Sequence, residues 1–504
     1  MINNVLNYLD EIVTKVPQKT AFANENEGFT FRQVYDQSRA VGTWLHKQQV
    51  YRKPVIVFMN KHPKTIIAFF GVITAGCYYV PIDEEMPESR INLILENCKP
   101  EIIICDSVTA EKAKTFQFDG TICLYDEIVQ TKADDAALAQ IRAASLDVDP
   151  IYIVFTSGST GVPKGVAACH RSVIDYIEQL SETLGFNEDT VFANQTPLYF
   201  DACLKEIYPT LKFGATTYIV PKSLFMFPVK LVEFLNEHKV NTICWVVSAL
   251  TMISAFGTFK TVKPEYLKTI AFGSEVFPIR QFRIWRETLP EASFTNLYGP
   301  TEGTGMCCFY HVERELSDDE PIPVGRPFPN TEILLLGEKD EPAGEGEPGE
   351  ICIRGTSVTL GYYNNPEKTK ESFVQNPLNT AYPEIIYRTG DIGKYNEHGE
   401  LVFVSRKDYQ IKHMGHRIEL GEIEANVNMV EAIKICGCIY DNEKGKIALY
   451  YVGDIASGEL IKLLKEKLPR YMIPNFVEQL EEMPFTANGK INRVALKEKY
   501  QKGK

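Results

Sequence analysis

The segment FTSGSTGVPKGV, residues 155–166, follows the apolar run IYIVF and sets two hydroxyl–glycine steps ahead of a lone lysine. Successive backbone N–H groups in a Gly/Ser/Thr loop can form a concave anion nest, and hydroxyls add donors without blocking approach. Thr156, Ser157, Gly158, Ser159, Thr160 and Gly161 supply such a loop, and Lys164 adds a full charge. Each charge-assisted hydrogen bond contributes about 1.5–3 kcal/mol. The pattern G-x-x-x-x-G-K-[ST] is absent, because Pro163 stands before Lys164 where that motif needs glycine, so the P-loop NTPase reading fails. The residues alone leave two readings, a phosphate cradle and a surface turn between strand and helix. A second constellation, DACLKE, sets Asp201 and Lys205 at i, i+4, the spacing of an ion pair if the segment is helical.

These residues need elements to position them. PVIVFMN, PEIIICD, TICLYD and IYIVFTS alternate with amphipathic stretches such as HPKTIIAFFGVITAG and HRSVIDYIEQLSETLG, which predicts parallel sheet with crossover helices. After about residue 320, short strands at TEILLLGE, GEICIRG and ELVFVSRKDYQIK between Gly, Pro and Asn predict an antiparallel β subdomain. Beyond residue 410, LGEIEANVNMV and SGELIKLLKEKL read as helices, with IKICGCIYD and KIALYYVGD as strands. The expected class is α/β: a large N-terminal domain, 1–405, of two βα subdomains plus a small β subdomain, then a small mobile α+β domain, 406–504.

At 504 residues the chain exceeds the size at which a single core stops growing, so several folding units are expected. Sixty-six acidic against 53 basic residues give a net charge of −13, which disfavours a nucleic-acid surface. The start, MINNVLNYLDEIVTKVPQKT, lacks the basic and apolar regions of a signal peptide, and no run approaches a membrane span, so a cytoplasmic, soluble protein without membrane attachment is expected. The twelve cysteines sit mostly in apolar runs and none forms C-x-x-C, which predicts buried, reduced thiols.

Residues 155–166 closely resemble the phosphate loop of the adenylate-forming superfamily, which includes the adenylation domains of nonribosomal peptide synthetases, acyl-CoA synthetases and luciferase. The resemblance recurs in order at FTFRQVYDQSRAVGTWL, AFFGVITAGCYYVPID, YFDACLKEIYP, NLYGPTE, VGRPFPN, YRTGD, SRKDYQIKHMGHRIELGEIE and FTANGKINR. It implies that a carboxylate attacks the α-phosphorus of ATP to give an acyl adenylate and pyrophosphate, followed by transfer to a thiol. Matching motif to motif, it assigns Thr156 to Lys164 to the β- and γ-phosphates and Glu302 to Mg²⁺. Asn296 and Tyr298 would face adenine, beside Gly299 and Thr301 of the same motif. Asp391 would accept from both ribose hydroxyls with Arg406 nearby. Lys490 would bridge substrate carboxylate and α-phosphate as the catalytic lysine, and Asp408 matches the hinge of the C-terminal domain.

In the amino-acid branch of the family, the aspartate matching Asp201 holds the substrate ammonium, which implies an amino-acid substrate. The other pocket positions carried over are Ala202, Lys205, Cys244, Ile270, Phe272, Leu297, Gly305 and Met306. A partly buried Lys205 would select a substrate with its own side-chain carboxylate. Asp201, Ala202 and Lys205 resemble glutamate-activating pockets, whereas bulky Phe272 and Met306 speak for a smaller side chain. Nothing in the sequence resembles a carrier domain, so a stand-alone enzyme that loads a separate phosphopantetheinylated carrier protein is expected. The D-alanine to carrier protein ligases share this organisation, but usually show cysteine where this chain has Gly273 and an apolar residue where it has Lys205. An acyl- or aryl-CoA ligase is the remaining enzymatic alternative.

Overall fold

The structure, a computed structural model, describes residues 2–158, 162–318, 320–407, 410–442, 444–485 and 491–502. It divides into one unit of Met1–Glu84, Cys98–Val154 and Gly165–Lys407, and a second of Glu85–Asn97, Phe155–Lys164 and Asp408–Lys504. Two earlier segments, one of them the glycine-rich loop, therefore group with the C-terminal residues, which sequence pattern alone does not reveal.

The first unit holds two large sheets. A six-stranded sheet runs in the order Thr121–Leu124, Ile102–Cys105, Pro54–Phe58, Tyr78–Pro81, Pro150–Thr156, Lys164–Cys169. Pro54–Phe58 and Ile102–Cys105 are buried at every position, the mark of strands covered on both faces. A nine-stranded sheet runs from Arg326–Pro327 through Cys308–His311, Ser293–Tyr298, Thr269–Gly273, Thr242–Val246, Val191–Asn194, Thr216–Ile219 and Thr20–Ala23 to Gly28–Thr30. From Ser293–Tyr298 to Thr20–Ala23 its pairings are parallel. The helix Phe31–Lys47, which leads from the nine-stranded to the six-stranded sheet, starts at a capping box, where Thr30 Oγ1 accepts from the Gln33 amide at 3.2 Å and Gln33 Oε1 accepts from the Thr30 amide at 2.8 Å. The antiparallel subdomain consists of Thr331–Leu336, Gly349–Gly355, Ile385–Tyr395 and Phe373–Gln375, with Leu401–Arg406 pairing on Ile385–Tyr395.

In the second unit, Ile433–Asp441, Lys446–Gly453 and Phe476–Gln479 form a three-stranded sheet, and the core joins Ile418, Ile423, Leu449, Leu460 and Leu464. The helices Leu420–Asn428 and Ser457–Lys467 lie where the sequence pattern places them. All twelve cysteines are buried free thiols. No helix among the described residues is long and apolar enough to cross a membrane.

Candidate functional site

Asp201 opens a 3₁₀ turn, Asp201–Cys203, and the α-helix Leu204–Phe213 begins only after it. The i, i+4 geometry of a continuous α-helix is therefore not reached, and no ion pair joins Asp201 to Lys205 among the described residues. Both side chains are buried, at 8% and 1% exposure. Burial pushes the Asp201 carboxyl above the ordinary aspartate range, while a hydrogen bond from Thr301 and the Lys205 charge pull it back. Ala202 follows Asp201 in the turn and is half-buried.

The strands beside this helix separate the expected pocket residues into two groups. Parallel register pairs Cys244 with Ala271 and Gly273 with Leu297, so these four share one face, since aligned side chains in adjacent strands point the same way. Cys244, Ala271, Leu297 and Met306 belong to the core that also contains Cys203, Leu204 and Tyr176. Ile270 and Phe272 point to the opposite face, into a separate core where Phe272 meets the Phe277 ring at 5.0 Å. Ile270 and Phe272 thus lie on the face away from Cys244 and Leu297, whereas Ala271 shares theirs, because side chains alternate along a strand. Gly305 carries φ +89°, and a Cβ there would stand 3.0 Å from the Tyr176 ring. Tyr176, which sequence reasoning missed, thus closes the wall beside Gly305, and its buried hydroxyl has no partner among the described residues.

A second cluster gathers at the end of Ser293–Tyr298. The Tyr298 hydroxyl donates to Asp391 Oδ2 at 2.5 Å, and Arg406 Nη1 donates to Asp391 Oδ1 at 2.5 Å. Asp391 and Arg406 are opposite partners in the pairing of Ile385–Tyr395 with Leu401–Arg406, which fixes their approach. Burial, and the Asp391 charge next, push the Tyr298 phenol far up, so it stays a donor. Asn296 Nδ2 donates to the Pro323 carbonyl at 2.8 Å. After Tyr298 the chain turns through Gly299, where a Cβ would meet the Gly305 carbonyl at 2.5 Å. In the 3₁₀ turn Thr301–Gly303, Glu302 is fully buried and its Oε1 accepts from the Tyr362 hydroxyl at 2.6 Å.

In the second unit, Ser157 of the glycine-rich loop already has its hydroxyl in use. Ser157 Oγ donates to the Arg417 carbonyl at 2.6 Å and accepts from the Glu419 amide at 3.2 Å. The Glu422 carboxylate pairs with Arg90 through Oε1, and its Oε2 is buried without a hydrogen bond. A Cβ at Gly158 would lie 2.2 Å from the Val162 carbonyl, so the turn requires glycine. Thr156 Oγ1 is buried without a partner, and Lys164 is buried at the start of Lys164–Cys169. Ser159, Thr160, Gly161, Asp408 and Lys490 lie outside the described residues.

The sequence pattern of the family described as AMP-binding enzyme matches residues 9–363. Gramicidin S synthase 2 of Brevibacillus brevis is 31% identical over 97% of this chain, which spans 11% of that relative's length. The D-alanine–D-alanyl carrier protein ligase of Staphylococcus aureus is 32% identical over 99% of both chains. Among solved structures, an artificially fused adenylation–PCP di-domain from Klebsiella oxytoca matches with a TM-score of 0.81 at 23% identity, covering 94% of this chain and 93% of its own. An o-succinylbenzoate CoA synthetase from Bacillus subtilis matches with a TM-score of 0.83 at 20% identity, covering 98% of each. At these identities the two structures speak for the fold.

Proposed function

Because the chain belongs to the AMP-binding enzyme family, we propose that it activates a free amino acid as its aminoacyl adenylate and passes the aminoacyl group to the phosphopantetheine thiol of a separate carrier protein. In the first step the substrate carboxylate forms a bond to the α-phosphorus of ATP, and the bond to the bridging oxygen breaks to release pyrophosphate. In the second, the thiol attacks the acyl carbon and AMP leaves. No covalent bond to the protein is needed, so its residues act by positioning and by neutralising charge.

The partnerless Thr156 hydroxyl and the glycine that the turn requires at position 158 support a loop that holds the β- and γ-phosphates, with Lys164 adding charge. Ser157 would join them by exchanging its present partners, and Ser159, Thr160 and Gly161 complete the loop on sequence grounds. Asp391 accepts the ribose hydroxyls: a carboxylate offers about four lone-pair sites, and two are taken. Asn296 and Tyr298 flank the adenine, and Lys490 steadies the carboxylate and α-phosphate as a point charge. Mg²⁺ fits Glu302, a fully buried carboxylate that follows the Tyr298 strand end, since a hard ion held mainly by phosphate oxygens needs few protein carboxylates. Bound there, the ion would neutralise phosphate charge.

Asp201 carries the amino-acid reading. It is a buried carboxylate without an ion-pair partner among the described residues, a costly arrangement that a substrate ammonium relieves. Lys205, equally buried, favours a substrate with a second carboxylate. D-alanine is the second reading, supported by the similarity over 99% of the S. aureus ligase and by small Ala271 and Gly273 on the pocket face. ATP and a reduced thiol acceptor fit a cytoplasmic enzyme. Amino-acid-dependent ATP–pyrophosphate exchange over L- and D-amino acids, fatty acids and aryl acids tests the reading. Exchange with amino acids, abolished by Asp201→Ala, is expected; exchange with fatty or aryl acids alone would sink it.

A further inference from the structure

Behind Lys205 the next residue of the same helix is a second acid. Glu206 is fully buried; its Oε2 accepts from Asn194 Nδ2 at 3.2 Å, and its Oε1 has no partner. Lys61, from the loop after Pro54–Phe58, is spent on backbone: its ammonium donates to the carbonyls of Asn194 at 2.9 Å, Gln195 at 2.8 Å and Val220 at 3.3 Å. Lys205 has neither ion pair nor hydrogen bond among the described residues. The helix start therefore sets a buried ammonium without an ion pair one residue ahead of a buried carboxyl group with a spare oxygen, each within electrostatic reach of the other.

We infer that Glu206 is the internal counter-charge of Lys205 and competes with the side-chain carboxylate of an acidic substrate, so that its protonation sets how strongly the pocket prefers an anionic side chain. The inference rests on the acidic-amino-acid reading above.

Burial pushes Glu206 up to about 8, against the pull of Lys205, Asn194 and Lys61. Burial lowers Lys61 to about 7, so it loses its charge before Glu206 gains one. The other titratable groups whose charges reach Glu206 are Cys203, Cys244 and Tyr176, all pushed up by burial and neutral throughout this range. Below pH 8 Glu206 is neutral and the Lys205 charge is available to substrate. Above it, ionised Glu206 satisfies Lys205 from within, and a substrate carboxylate meets a like charge.

The test is the ratio of kcat/KM for glutamate over glutamine in ATP–pyrophosphate exchange, measured from pH 6.5 to 9.5. For the parent enzyme the ratio falls about tenfold through pH 8. Glu206→Gln, which keeps an acceptor for Asn194, gives a ratio that stays high and flat, and Glu206→Asp restores the fall. Lys205→Met gives a low, flat ratio and carries the test if Glu206→Gln does not fold. Glutamate activation with the same pH profile in parent and Glu206→Gln, or in parent and Lys205→Met where the former does not fold, would overturn the role of Glu206 and leave the acidic-substrate reading standing. Exchange with neither glutamate nor aspartate at any pH would overturn both.

Discussion

Tyr298 and Arg406 grip opposite oxygens of Asp391, each at 2.5 Å, in a site where Asp391 itself is 2% exposed. The carboxylate is thereby held in one orientation before any nucleotide arrives. Asp391→Asn keeps the shape but replaces one acceptor by a donor facing Arg406 or Tyr298. Calorimetric titration with a non-hydrolysable ATP analogue should show affinity falling roughly ten- to a hundredfold, the worth of one or two charge-assisted hydrogen bonds. Tyr298→Phe removes an orienting donor and leaves the charge, so its loss should be only a few-fold. Equal affinity in Asp391→Asn and the parent would remove Asp391 from the ribose.

Glu302 offers a cleaner separation of charge from packing. Glu302→Gln retains an acceptor for the Tyr362 hydroxyl and so should melt within a few degrees of the parent. Its exchange activity should fall about a hundredfold or more, and the dependence on Mg²⁺ concentration should move to higher concentration. An unchanged Mg²⁺ profile would place the ion elsewhere.

Lys490→Ala should abolish most adenylate formation, by roughly a hundredfold or more, while ATP affinity stays within a few-fold. A lysine that acts on the α-phosphate stabilises charge developing in the transition state more than it binds the ground state. Single-turnover formation of aminoacyl adenylate checks the first part and equilibrium binding the second; parallel losses in both would make Lys490 a nucleotide-binding residue.

Local pattern made much of this readable. The motif residues 298–302 stand at a strand end and in the turn after it, where their residue types betray them, and the continuous apolar runs of covered strands mark the sheets. What the sequence withheld depends on register and on distance along the chain. Ile270 and Phe272 against Ala271 and Gly273 is a shift of one residue, which in a strand exchanges faces, and both sets are apolar enough for either core. Asp201 and Lys205 have helical spacing, but the 3₁₀ turn that separates them carries no distinct pattern. Asn194 and Glu206 look like solvated polar residues until strand and helix bury them together, with half-buried Lys61 bonded to the Asn194 carbonyl. Tyr176 could have been found only by its place on the inward stripe of His170–Leu184.

Lys205→Ala separates substrate charge from substrate size. If Lys205 pairs with a side-chain carboxylate, the parent should prefer glutamate over glutamine by tenfold or more near pH 7, and the variant should lose that preference while gaining or keeping activity toward uncharged residues. Exchange rates with the two amino acids decide it. A parent that activates D-alanine and ignores both would assign the pocket to small substrates.

The ion pair of Arg90 and Glu422 makes a prediction about stability within the second unit. Both side chains are buried, at 5% and 0% exposure, and burial raises the Glu422 carboxyl although Arg90 opposes it. A carboxyl raised in the folded state binds its proton more tightly there than in the unfolded chain. The stability it supports is therefore fully present below the unfolded value of about 4.5 and declines as pH rises through the folded one. Arg90→Met removes that opposing influence, so it should steepen this decline. The penalty should be small near pH 4.5, where Glu422 takes up a proton, and reach roughly 3–5 kcal/mol near pH 8, where a buried carboxylate is left unpaired. Hydrogen exchange of the Leu420–Asn428 amides, corrected for intrinsic rates, reads this locally, and adding Glu422→Gln should recover most of the loss at pH 8. A penalty of the same size at both pH values would mean that Arg90 contributes packing of its aliphatic stem rather than charge.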